Sequence, residues 1–147
     1  MSGEKTFVEA LRTNFFRRHR KGQWTRIENN FGLGIPDIAC CDDIHWWWEA
    51  KATERAPLRD GKLDIKWTRE QGQWGMQHLA AGGNYACLIL IRRALFPIYL
   101  LHPALQPRVA SEPWRDIISS VGPDGMKTFE NYDTLFDYLW IKEEVPF

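Results

Sequence analysis

The sequence predicts an α/β protein, a mixed sheet of four to five strands with helices on its faces. Three observations carry that expectation. Phe7, Leu11, Phe15 and Phe16 recur at helical spacing near the start of the chain. Thr68-Arg69-Glu70-Gln71 fits a capping box, so a second helix opens after a long polar stretch. Tyr85–Ile91 reads YACLILI, a strand apolar at every position and therefore covered on both faces.

Taken in order, residues 4–18 read as an amphipathic helix, and Gly22 ends that region. Residues 24–28 suit a short strand, and 29–34, with two asparagines and two glycines, a loop. Two extended runs follow, 38–41 and 45–52, with Asp42-Asp43-Ile44 as a hairpin turn between them. Residues 53–66 are polar, contain Pro57 and Gly61, and read as a mobile loop. The capped helix runs over 69–81, where Gly82 and Gly83 stop it. After the apolar strand, 96–101 is a further strand, and Pro97 confines it to an edge or a strand start. Ser111-Glu112-Pro113 opens a short helix, and 133–141 forms the last one. No repeat or linker divides the chain. The expectation is one domain over 1–147, with a core over about 4–101 and a helical extension over about 102–147.

Composition narrows the function class. The 147 residues are 44% hydrophobic and 26% charged, the mix of an ordinary globule, which excludes a disordered tail, a collagen-like repeat or a coiled coil. The longest apolar run falls far short of the ~18 residues of a membrane span. The first twenty residues lack the apolar centre of a signal peptide. Three cysteines, two of them adjacent and none in a CxxC pair, give neither a disulfide framework nor a zinc site. A reducing, cytoplasmic setting is expected. Nineteen basic residues balance nineteen acidic ones. Their distribution is uneven, because Arg12, Arg17, Arg18, Arg20, Lys21 and Arg26 crowd one segment while acids crowd the C-terminus. Such a segment either attracts phosphates or is a solvated helix end opposing the dipole.

The residues that carry chemistry are Asp37 in Gly34-Ile35-Pro36-Asp37 and, after eleven residues, Glu49-Ala50-Lys51. Glu49 and Lys51 are two apart in a strand and share a face. A hairpin centred near Asp43 folds the preceding strand back, so Asp37 approaches them. Two carboxylates and an ammonium in one small volume suit metal-assisted phosphodiester hydrolysis. Mg²⁺ prefers oxygen ligands and takes one or two carboxylates, keeping water and phosphate in its other positions. Taken singly, Glu-x-Lys is also an ordinary surface ion pair worth ~0–1 kcal/mol.

The company of these residues adds specificity. Arg26-Ile27-Glu28-Asn29, Gly34-Ile35-Pro36-Asp37, Trp48-Glu49-Ala50-Lys51, Gln71 and Gly82-Gly83, in that order, resemble the PD-(D/E)XK nuclease superfamily. Within it, the chain is most similar to VRR-NUC-type and phage-encoded Holliday-junction-resolvase-like nucleases, from the first helix to about Ile91. The resemblance implies a restriction-endonuclease-like core and a Mg²⁺-dependent endodeoxyribonuclease, with Mn²⁺ as a substitute, acting on DNA. It implies that Asp37, Glu49 and the Ala50 carbonyl hold the metal, that Lys51 is the catalytic lysine, and that Gln71 turns toward the site. Helix capping is the other reading of Gln71. An additional upstream acid is expected at Glu28, with Glu4 and Glu9 as alternatives. Junction resolution implies a homodimer with two opposed sites. A site-specific homing or restriction-like endonuclease is the enzymatic alternative. A non-catalytic nucleic-acid-binding module of the same fold is the alternative from another class.

Arg17, Arg18, Arg20, Lys21 and Arg26, together with Arg55, Arg59 and Lys62 after the catalytic strand, are the candidates for contacts to nucleic-acid backbone. In Trp46-Trp47-Trp48, alternation sends Trp46 and Trp48 to one face and Trp47 to the face of Glu49. Trp47 is then either core or a platform for an unpaired base.

Overall fold

The computed structural model describes residues 3–27 and 34–141. Helix α1 (Gly3–Arg18) buries Phe7, Val8, Leu11 and Phe15, the stripe expected from their spacing. It leads into an antiparallel meander of β1 (Gln23–Arg26), β2 (Ile38–Asp42) and β3 (Ile44–Thr53). Asp43 alone makes the β2–β3 turn at φ 64°, a left-handed conformation that aspartate tolerates better than most residues. The turn sets Ile38 opposite Trp48 and Cys41 opposite His45.

Helix α2 (Arg69–Ala80) then crosses over the sheet and returns the chain to β4 (Tyr85–Ile91), which lies parallel to β3. Its N-terminus is the capping box read from the sequence, and Gly82 supplies the positive φ (91°) that ends the region. Strand β5 (Ile98–Leu101) pairs antiparallel with β4, and β6 (Met126–Phe129) with β5. The sheet has six strands in chain order, β1 to β6. Between β5 and β6 lie a 3-10 turn (Pro103–Leu105), α3 (Gln106–Ser111) and α4 (Trp114–Ser120). Helix α5 (Tyr132–Leu139) follows β6.

Each face of the sheet has its own core. Trp46, Trp48 and Ala50 of β3 join Ala86, Leu88 and Leu90 of β4 beneath α1 and α5. Tyr85, Cys87, Ile89 and Ile91 pack on the other face with Val109, Trp114 and Ile117 of α3 and α4. Trp47 joins this second face, so the alternation expected of the three tryptophans holds. It is also the face toward which Glu49 and Lys51 project. Every residue of β4 is buried, as its apolar run requires.

The fold is the expected α/β arrangement, a mixed sheet with helices on both faces, with three differences. The sheet has six strands rather than four or five. The added strand, β6, is only four residues long and sits at an edge, where its sequence MKTF carries little pattern. The C-terminal part is therefore more than a helical extension, since it supplies β6 and, through Leu135, Phe136 and Leu139, part of the first core. Finally, the segment read as a mobile loop is irregular yet anchored. Leu63 is buried, Ile65 and Trp67 pack on the second core, and Trp114 N–H donates to Gly61 O at 3.0 Å. Strand β5 starts at Ile98 because Pro97 has no N–H for the ladder; its carbonyl instead accepts from Ile91 N–H at 2.8 Å. No helix among the described residues is long and apolar enough to cross a membrane.

Candidate active site

Register brings the three expected residues together. Extending the Ile38–Trp48 pairing by one residue sets Asp37 beside Glu49. Asp37 N–H donates to Glu49 Oε2 at 3.2 Å. Lys51 Nζ lies 3.3 Å from Glu49 Oε1. Gln71 Nε2 donates to the same oxygen at 2.7 Å, reaching down from the first turn of α2. Gln71 also completes the capping box, its Oε1 accepting from Thr68 N–H at 3.0 Å and its own N–H donating to Thr68 Oγ1 at 3.2 Å. The two readings of Gln71 hold together: one side of its amide caps the helix and the other faces Glu49.

Glu49 is 1% exposed and Lys51 8%. Burial pushes the Glu49 carboxyl up to about 7, the Asp37 charge adds to the rise, and the Lys51 ammonium opposes it. Asp37 is also raised, first by burial, against the opposing charges of Arg26 and Lys51 and the hydrogen bond it receives from Ala50 N–H. Half-buried Asp37 and buried Glu49 repel each other, while the Lys51 ammonium and the Arg26 guanidinium offset their charge. Two adjacent carboxylates match a hard divalent cation in donor type.

Ala50 buries its methyl in the first core, so only its backbone is available to the site. Trp47 N–H bonds Asn84 O on the β4 side, and backbone groups alternate in direction along a strand. The Ala50 N–H and C=O therefore both face the edge where Asp37 stands. Among the described residues, no group of three or more His, Cys, Asp or Glu is set to hold an ion. The oxygen donors present are the carboxylate pair and this carbonyl, which fit Mg²⁺ better than a softer metal.

Of the three candidate upstream acids, Glu28 lies outside the described residues. Glu4, in the first turn of α1, feels the charges of Lys51, Asp37 and Arg26, and burial raises its carboxyl. The start of α1 lies close to the end of β3, where a methyl on Gly3 would make ordinary contact with Ala52 Cβ at 3.7 Å. Glu9 is exposed five residues further along the helix and lines the same surface hollow as Glu4 and Arg26. Of these two, Glu4 is the one whose carboxyl feels the charges of Lys51 and Asp37.

The basic candidates divide by position. Arg26, paired with Ile38 in register, stands next to Asp37. Arg55, Arg59 and Lys62 are exposed on the segment that leaves β3 just beyond Lys51. Arg17, Arg18, Arg20 and Lys21 lie at the opposite end of α1, roughly 20 Å along the axis from Glu4. Arg18 is paired with Asp137 and lies 3.8 Å from Asp133, which ties α1 to α5. Trp47 is half-buried against the second core, its ring centre 5.3 Å from that of Trp74.

Two contacts near the site are not legible in the sequence. Lys51 Nζ lies 5.3 Å from the centre of the Trp67 ring, so an aromatic face as well as a carboxylate holds the ammonium. The alternation of Leu63, Ile65 and Trp67 was the available signal, since it marks an extended segment laid on the core. Gly34 makes the other. At φ 76° it abuts α2, and a Cβ there would fall 2.1 Å from Glu70 O. Only glycine lets the segment carrying Asp37 approach the helix that carries Gln71.

No protein-family model matches the chain, and no curated protein matches it. Among solved structures it is similar to Hjc, a Holliday junction resolvase of the archaeal hyperthermophile Archaeoglobus fulgidus. The two are 15% identical, with a TM-score of 0.46 over 69% of this chain and 78% of that one.

Proposed function

We propose that the chain is a Mg²⁺-dependent endodeoxyribonuclease that hydrolyses phosphodiester bonds in branched or junction DNA. The observation that carries this reading is the convergence of Asp37, Glu49 and Lys51 on one buried spot. Asp37, Glu49 and the Ala50 carbonyl would hold the metal, with Mn²⁺ as a substitute. Bound there, it would supply Lewis-acid polarisation of the phosphate and a water acidified for attack. Lys51, aimed by Glu49 and Trp67, would stabilise charge on the phosphate oxygens. Gln71 would fix the rotamer of Glu49, and Glu4 would bear on the same site from α1. The resemblance implies 5′-phosphate and 3′-hydroxyl ends.

The substrate class follows the sequence resemblance, as does a homodimer whose two sites cut opposed strands. A non-catalytic binding module of the same fold is disfavoured by energetics. Burying Glu49 beside Asp37 costs stability, and a protein that only grips phosphates gains nothing from it. A site-specific nuclease remains the enzymatic alternative.

The test incubates purified protein with labelled four-way junction, flap, nicked and linear DNA, each with Mg²⁺ or EDTA. Cleavage of branched substrates in Mg²⁺ alone is expected. Binding without cleavage on every substrate would overturn the enzyme reading, and cutting confined to one linear sequence would favour the alternative.

A further inference from the structure

We infer that the β4–β5 turn is an apolar wedge that inserts between bases at the branch point of the DNA substrate. The inference rests on the proposed nuclease function and names the feature of the substrate that the turn would read.

The turn, residues 92–97, has a fixed base. Ile91 N–H donates to Pro97 O at 2.8 Å, and Ala94 N–H donates to Ile91 O at 3.1 Å. Ala94 packs inward on the second core. The next two residues do the opposite: Leu95 is 83% exposed and Phe96 45%. Two adjacent large apolar side chains held outward on a closed turn have the form of side chains that partly unstack base steps. A lone exposed leucine would carry no such meaning.

Charge and position identify the occupant as nucleic acid. The turn is clamped to the end of the catalytic strand, with Arg92 N–H donating to Thr53 O and Arg93 N–H to Glu54 O, each at 3.1 Å. Arg93 Nε also donates to Glu54 Oε1 at 2.9 Å. Two residues of strand, ~7 Å, separate Thr53 from Lys51. The wedge therefore stands within a few nucleotides of any phosphate held at the site. Arg92, Arg93 and Arg55 outnumber Glu54 around it, so the surroundings are net positive, as a phosphate backbone requires. Branch points are where insertion is cheapest, because stacking is already interrupted there.

The experiment uses branched DNA carrying 2-aminopurine at the branch point, and a continuous duplex carrying it at the same step, both titrated without divalent metal. The wild-type protein should raise the fluorescence of the branched DNA and bind it at least tenfold more tightly than the duplex. A Leu95→Ser/Phe96→Ser variant should lose the rise and most of that preference. Its duplex affinity and salt dependence should stay unchanged, and circular dichroism should show the wild-type fold, since Leu95 is exposed and Phe96 nearly half so. A companion Arg92→Gln/Arg93→Gln variant should weaken both DNAs alike. Wild-type fluorescence and preference in the Leu95→Ser/Phe96→Ser variant would overturn the wedge. So would a change in its oligomeric state, which would mark the patch as a protein interface. Failure of the nuclease reading looks different: wild-type protein would cleave no DNA in Mg²⁺, whatever the variant does.

Discussion

Glu49 carries more of the account than any other residue, and its titration has a definite sign. Its folded pKa of about 7 lies above the ordinary value of 4.5, so the metal-free folded state holds a proton that the unfolded chain releases between those values. That contribution to stability is present below pH 4.5 and is lost as pH rises through about 7. Held by Glu49 as proposed, Mg²⁺ would require the deprotonated carboxylate and would compensate the loss. Thermal melts with and without Mg²⁺ should therefore show a larger stabilisation at pH 8 than at pH 6. A shift equal at both values would remove Glu49 from the ligand set. Trp67 is the second residue to test. Replacing its ring by Leu removes a desolvated cation–π contact worth up to about 2 kcal/mol, so turnover should fall about 3–30-fold at unchanged KM. Trp67→Phe, which keeps an aromatic face, should lose less. Single-turnover and steady-state rates on one DNA substrate separate the two variants.

At the scale of elements, the site depends on how closely three segments meet: the start of β2, the middle of β3 and the first turn of α2. Gly34 sets the first against the third. Gly34→Ala should destabilise the fold by about 2–5 kcal/mol, the sum of left-handed strain and overpacking, as read by chemical denaturation. An unaffected midpoint would mean that the segment relaxes freely away from α2. This scale also shows what the sequence made legible. The meander, the capped helix and the apolar parallel strand were readable because each carries a local signal: a turn aspartate, Thr68 with Gln71, seven apolar residues in a row. So was the approach of Asp37 to Glu49 and Lys51, which follows from a hairpin centred near Asp43 and strand alternation, although the turn is Asp43 alone rather than Asp42 to Ile44. Strand β6 was not readable, because four residues at an edge gain their structure from β5 rather than from their own pattern. The anchoring of 53–66 was hidden by its charged and turn residues, which obscure the alternation of Leu63, Ile65 and Trp67. Glu4 could be named but not chosen, since its approach to Lys51 depends on where α1 crosses the sheet.

Across the whole molecule, the zero net charge conceals two separate basic groups. Arg26 stands beside Asp37, and Arg55, Arg59 and Lys62 are exposed on the segment that follows β3, whereas Arg17, Arg18, Arg20 and Lys21 sit at the far end of α1, with Arg18 committed to α5. Neutralising Arg55, Arg59 and Lys62 should reduce the log–log salt slope of duplex binding by ~0.9 per lost contact. Neutralising Arg17, Arg20 and Lys21 should leave it unchanged. The reverse pattern would place the phosphate track along the far end of α1. All of these expectations presuppose that the convergence of two carboxylates and a lysine is a catalytic centre. The most direct test is single-turnover cleavage of branched DNA in saturating Mg²⁺ by the wild-type protein and by Glu49→Ala, with circular dichroism confirming the fold of both. The account predicts cleavage by the wild type that EDTA abolishes, and none by Glu49→Ala despite retained DNA binding. Cleavage at the wild-type rate by a well-folded Glu49→Ala protein would contradict it.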